Sequence, residues 1–309
     1  MSNVSEPATV DELAGVLRDA TSAGRRVSIG RAGGDLELSL EKLDRVLAHE
    51  AGDLTVTVES GLRLSALRAR LAPHGQELAL DPPGDPTVGG CLAGDLSGPR
   101  RHRFGAPRDL LLGVTLVLAD GTIANAGGTV VKNVAGYDLG KLVCGSAGRY
   151  AAIARASLRL HPLPAAAASV VVDVADPDEA ARLARTVAHS ALIPTACDLE
   201  WPGRLVLRFE GGEDGVAAQV ARAADILGAR PIDDLVWDEV RDVQASLPGR
   251  VSYPPGKLAA FLAGEVSALV RIGVGSAHVP YEPEDSRSFG AQRLAERVRE
   301  ALDPLEVLV

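Results

Sequence analysis

The stretch 113-GVTLVLADGTIANAGG-128 reads as a β-hairpin. Val114, Leu116 and Leu118 alternate with other residues, Asp120–Gly121 supplies the tight turn, and Ile123 and Ala124 begin the return strand. Strands joined so closely must run antiparallel. Upstream, Thr9 and Glu12 form a capping box ahead of Leu13, Val16 and Leu17, which predicts a helix to about Thr21. A strand is expected at 26-RVSIG-30 and another at Leu54 to Glu59, with Leu64, Leu67 and Leu71 marking one face of a short helix behind it. The run 78-LALDPPGDPTVGG-90, rich in proline and glycine, reads as a long shaped loop.

Downstream, 151-AAIARASLRL-160 is a further strand, and Pro162 and Pro164 cannot continue it in the middle of a sheet. The division into domains is placed there, residues 1–164 and 165–309. Past it come the strand 168-ASVVVDV-174, a helix from Pro177 to His189 and the hairpin 197-CDLEWPGRLVLRFEG-211. A helix from Val216 to Leu227, a strand in 268-ALVRIGVG-275 and a terminal helix near Ala291 to Leu302 follow. The predicted class is α+β, the second unit being an antiparallel sheet with helices on one face.

Composition narrows the function. With 309 residues, 46% of them hydrophobic, two cores of ordinary size fit. The 32 basic residues against 41 acidic ones give a net charge of −9, so the positive field that gathers nucleic acid or anionic lipid is missing. Cys91, Cys144 and Cys197 are widely spaced with no CxxC pair, which argues against a disulfide framework, a zinc site or an iron–sulfur cluster on this chain. Neither a leader pattern nor an apolar run of about 18 residues is present, and a soluble cytoplasmic protein without a membrane span or a metal is expected.

Three glycine-rich loops border predicted strands: 31-RAGGD-35, 87-TVGGCLAGDLSGPRR-101 and 144-CGSAGRY-150. Amides left uncovered by Cβ atoms converge readily on phosphate oxygens, and three such loops in one domain point to a diphosphate cofactor. None has the G-x-G-x-x-G spacing of a nicotinamide site, and no G-x-x-x-x-G-K-[ST] string occurs.

The run from Pro86 to Gly148 resembles the FAD-binding subunit of bacterial glycolate oxidase, in the vanillyl-alcohol-oxidase (PCMH-type) flavoproteins. Its most specific pieces are LSGPRR (96–101), GAPRDLLLGV (105–114) and GGTVVKNVAGYDLGKL (127–142). The resemblance implies a PCMH-type FAD-binding domain of two α+β subdomains, followed by a smaller cap domain. It implies Gly33 and Gly34 at the pyrophosphate, and Thr87, Gly89, Gly90, Ala93, Ser97 and Gly98 along the phosphates and flavin. Gly145, Ser146, Gly148 and Ile153 would line the adenosine side. The first loop has no histidine to bond the flavin, and Cys91 reads as a small buried residue rather than a flavin link, so non-covalent FAD is expected.

Lys132 and Tyr137 suit a reduced flavin and a substrate carboxylate respectively, or else pack structurally beside Asp138, whose role is a helix cap. Oxidation of a 2-hydroxy acid needs a cation for the carboxylate and a base for the hydroxyl proton, and Arg271 and His278 are candidates for these. The resemblance implies a small 2-hydroxy acid as substrate, with a second flavoprotein subunit and an iron–sulfur subunit as partners. A non-catalytic subunit of the same fold, serving assembly or electron relay, is the alternative.

Overall fold

The computed structural model describes residues 4–128, 139–283 and 289–309. The hairpin 113–128 forms as expected, with Val117 opposite Ile123 and Gly113 opposite Gly127. Its turn closes through Leu118 N–H donating to Thr122 O at 2.9 Å and Thr122 N–H donating to the Asp120 carboxylate at 2.8 Å. The hairpin is one edge of a five-stranded antiparallel sheet in the order Val46–Glu50, Thr55–Glu59, Ala152–Arg159, Leu111–Val117, Ile123–Gly127. Leu64, Leu67 and Leu71, all buried, turn the helix Leu64–Leu71 into the core beside this sheet.

The first subdomain is a small parallel sheet, ordered Val4–Ser5, Leu36–Leu38, Val27–Ile29. Its crossover is the helix Val10–Ser22, capped by Glu12 N–H donating to Thr9 Oγ1 at 3.1 Å, and Leu13 and Leu17 are fully buried beneath it. The chain's end completes this subdomain. Val27 N–H donates to Val307 O at 2.6 Å, Val309 N–H donates to Val27 O at 3.0 Å, and Val307 and Leu308 are buried in the same core. The fully buried Asp303 fixes the tail by accepting from the amides of Val307 and Leu308 at 2.9 and 2.7 Å.

The remainder is built on a seven-stranded antiparallel sheet starting at Ala166–Val174. The helices Pro177–His189 and Glu213–Leu227 cover one face, as the sequence predicts. The other face is also covered, because Val236, Trp237 and Val240 of the helix Val236–Ser246 pack on Val171, Val206 and Leu269. The expectation of helices on one face only is corrected here. Val170–Val172 and Leu205–Leu207 are unbroken apolar runs, and a strand with two apolar faces needs a cover on each.

The segment 95–104 joins the two halves. Arg100, 8% exposed, donates Nη1 to Glu77 at 2.8 Å and Nε to Glu210 of the large sheet at 3.2 Å, with its guanidinium 4.7 Å from the Phe104 ring. His102 Nδ1 lies 2.8 Å from Ile272 O, and Gln244 Nε2 donates to Ser97 O at 3.0 Å. These contacts hold the two cavities described next against each other.

Candidate flavin and substrate site

The first cavity, about 490 Å³, lies between the small parallel sheet and the helix Val88–Gly94. That helix replaces the end of the loop read from the sequence. Thr87 Oγ1 accepts from Gly90 N–H at 3.0 Å and starts it. Gly89 is required by packing, since a Cβ there would lie 2.7 Å from Ser60 Cβ. Thr87, Gly89, Gly90, Ala93, Gly148 and Ile153 all line this cavity.

Across from them the chain at Ile29, Gly30 and Arg31 forms the cavity wall, whereas Gly33 and Gly34, implied at the pyrophosphate, do not line it. Among the described residues, none of the four amides of 31–34 donates to another group. Gly34 has φ +68°, and a Cβ there would be 2.7 Å from Arg26 O, so this bend admits no side chain. Ser60 faces the same space, and its hydroxyl is buried without a partner. The unpaired Ser60 hydroxyl is a donor that a phosphate oxygen of a dinucleotide can meet, while Glu37 and Glu41 also line the cavity. FAD fits the residues present.

The other glycine-loop residues stand elsewhere. Gly145 N–H donates to Leu92 O at 2.9 Å, and the buried Ser146 hydroxyl has no partner. Gly98 supports close packing, because a Cβ on it would meet Asp81 O at 1.8 Å. Ser97 lines the second cavity. Cys91 is fully buried, and burial pushes its thiol up to about 12, the state of a packed thiol rather than a nucleophile. Lys132, Tyr137 and Asp138 lie outside the described residues.

The second cavity, about 360 Å³, begins where the first ends, since Ala93 lines one and Gly94 the other. It is walled by Asp95, Arg101, Gln244, Arg250, Arg271 and His278. Arg271 is 1% exposed; its Nη2 donates to Gln244 Oε1, and its Nε and Nη1 have no partner. Arg101 and Arg250 share the Asp95 carboxylate at 3.2 and 3.0 Å. Three guanidiniums against one carboxylate leave the wall cationic. Burial, then Arg271, Arg250 and Arg101 in turn, push the His278 imidazole down to about 4, so it is neutral at pH 7.

Residues 2–127 match the family described as an FAD binding domain. The chain is 32% identical over 218 residues to glycolate oxidase subunit GlcE of Escherichia coli (strain K12), spanning 68% of this chain and 61% of that protein. The chain belongs to the FAD-linked, PCMH-type oxidase family.

Other members of this family are similar over shorter spans. D-lactate dehydrogenase [cytochrome] 1, mitochondrial, of Saccharomyces cerevisiae is 31% identical over 170 residues, 55% of this chain and 29% of that protein. Glycolate oxidase subunit GlcD of Bacillus subtilis (strain 168) is 31% identical over 182 residues, 56% and 38%. The chain thus spans between 29% and 61% of the length of these relatives. An alkyldihydroxyacetonephosphate synthase structure shares the fold at TM-score 0.75 and 15% identity, over 98% of this chain and 75% of the other. Among the described residues no helix is long and apolar enough to cross a membrane, and no cluster of His, Cys, Asp or Glu could hold a metal ion.

Sequence reasoning missed Ser60, Arg101, Asp95, Gln244 and Arg250. Ser60 had a local signal, a Ser–Gly step straight after the strand Thr55–Glu59. The others had none, because Asp95 and Arg101, although near in sequence, meet Gln244, Arg250 and Arg271 only through the fold.

Proposed function

We propose that the chain is an FAD-dependent oxidoreductase subunit that oxidises a small 2-hydroxy acid and passes the electrons to partner subunits, a flavoprotein and an iron–sulfur protein. The observation that carries this reading is Arg271, a buried guanidinium with two unpaired N–H groups on a cavity that also holds a neutral histidine. An unsatisfied buried cation costs several kcal/mol, and a carboxylate is its natural complement.

In this reading FAD would be held non-covalently by the chain at Gly30 and Arg31, by Ser60 and by the helix 88–94, and would supply the hydride acceptor for the substrate carbon. Arg271 fixes the substrate carboxylate, with Arg101 and Arg250 adding long-range attraction. His278 takes the hydroxyl proton. A free imidazole near 4 is a weak base at neutral pH, but an incoming carboxylate cancels part of the arginine field and raises its basicity where it is needed. Gln244, tied to Ser97 O and to Arg271, holds the guanidinium across the joint between the two halves.

One observation favours the non-catalytic alternative: Glu37 and Glu41 line the dinucleotide cavity and oppose a diphosphate there. Glu41 is already paired with Arg63, which reduces that opposition. The purified protein decides between the readings. A yellow protein whose flavin absorption bleaches anaerobically with glycolate or D-lactate supports the enzyme. Colourless protein that ignores added FAD overturns it in favour of the alternative.

A further inference from the structure

Asp198 sits directly opposite Arg271 on the neighbouring strand of the large sheet. The two are 0% and 1% exposed. Both Asp198 carboxylate oxygens, and Nε and Nη1 of Arg271, are buried with no hydrogen-bond partner. A buried acid beside a buried base would ordinarily close into an ion pair, since each charge alone is costly in a poorly polarisable interior. Here Nη2 of Arg271 is drawn toward Gln244, and the remaining guanidinium N–H groups stay open. Arg271 borders the cavity and Asp198 does not, so Asp198 reaches a bound ligand only through the guanidinium.

We propose that Asp198 is the internal counter-ion of Arg271 and, by gaining or losing its proton, sets how strongly the arginine cavity holds a substrate carboxylate; this rests on the assignment of that cavity to a hydroxy acid. With Asp198 protonated, Arg271 offers its full charge to the substrate. With Asp198 ionised, a second anion behind the guanidinium competes with the substrate for it. Asp198 is a positioning residue, not a catalytic one.

The surroundings place the switch in a useful range. Burial pushes the Asp198 carboxyl up to about 6 against the pull of Arg271, and Asp81 and Glu200 push it further the same way. Gln244 meets Arg271 from the helix side, and Tyr253 and Cys197 are the remaining titratable neighbours, both held neutral by burial. On the cavity side the charged groups are Arg101, Arg250 and Asp95, with His278 neutral. Above about pH 6 binding of an anion is therefore coupled to uptake of a proton by Asp198, and affinity falls by up to about tenfold per pH unit until the coupling saturates.

The test uses the full FAD-loaded chain and oxalate, a dicarboxylate with no C–H bond to oxidise, followed by titration calorimetry in two buffers of different ionisation enthalpy. The wild type is expected to bind about tenfold more weakly at about pH 8 than at about pH 6, with uptake of about one proton at the higher pH. Asp198→Asn is expected to bind at both pH values as tightly as the wild type does at the lower one, without proton uptake. A pH slope and proton uptake that survive in Asp198→Asn, or that the wild type lacks, overturn the proposal while leaving the cavity's assignment standing. Absence of oxalate binding by the wild type at either pH overturns the assignment itself. Should Asp198→Asn fail to fold, His278→Gln replaces it: proton uptake retained there supports Asp198 as the acceptor, and uptake lost there overturns it.

Discussion

The two cavities are made of different materials. The first is cut largely from backbone: the chain at 29–31, the glycines at 61, 89, 90 and 148, and one unpaired hydroxyl on Ser60. The second is made of long charged side chains, Arg101, Arg250 and Arg271, carried to one place by the segment 95–104 and by two strands of the large sheet. A backbone site holds a cofactor that never changes, and it depends on sterics. A side-chain site depends on charge and responds to pH.

The contrast breaks most readily at Arg271. Arg271→Gln is expected to lower kcat/KM for a hydroxy acid by on the order of a thousandfold, about 4 kcal/mol, while flavin content is unchanged. Steady-state kinetics beside the flavin spectrum checks both halves of that statement; a parallel loss of flavin would mean the cavities are not separable.

Gly98→Ala tests the steric side. With Asp81 O only 1.8 Å from the added Cβ, the segment 95–104 must shift, and a loss of about 3 kcal/mol is expected in chemical denaturation, with both cavities impaired. His278→Gln should cost about a hundredfold in turnover with KM nearly constant. In the wild type the kcat/KM profile should rise through about pH 4 as the imidazole becomes neutral and fall above about pH 6 as Asp198 ionises. The acid limb should vanish in His278→Gln.

Asp198→Asn reads the same chemistry as stability. The folded-state pKa of Asp198 lies above its ordinary value of 3.8, so the folded protein keeps the proton longer than the unfolded chain. Stability is then lost as pH rises through the window between about 4 and about 6, and the loss is complete above it. The variant should be more stable than the wild type by on the order of 2 kcal/mol at about pH 8, with no gain below about pH 4, as measured by urea denaturation across pH. The smallest effect expected is that of Ser60→Ala, about tenfold or less in FAD affinity, about 1 kcal/mol, read by flavin fluorescence on titration.

Each level of structure was legible in the sequence to the extent that its signal is local. The hairpin at Asp120–Gly121 announces itself because alternation and turn chemistry lie within one stretch. The helix over 88–94 was hidden inside a glycine-rich loop: its cap at Thr87 is local, but the reason for Gly89, the close approach of Ser60, is not. The cover on the second face of the large sheet was written in the unbroken runs Val170–Val172 and Leu205–Leu207, but a short apolar run does not say which element covers each of its faces. The return of residues 307–309 to Val27 had no local sign, because the pairing joins segments about 280 residues apart.

By itself the chain's order of residues determined the α+β class, the antiparallel hairpin, and a front half rich in uncovered amides, because turns, periodicity and glycine act within a few residues of themselves. Only the tertiary structure decided that Arg101, Arg250, Arg271 and His278 share a cavity, and that Asp198 lies behind Arg271. Charges act through space with a strength set by burial, and neither the distance nor the burial exists until the sheet is paired and the two halves are joined.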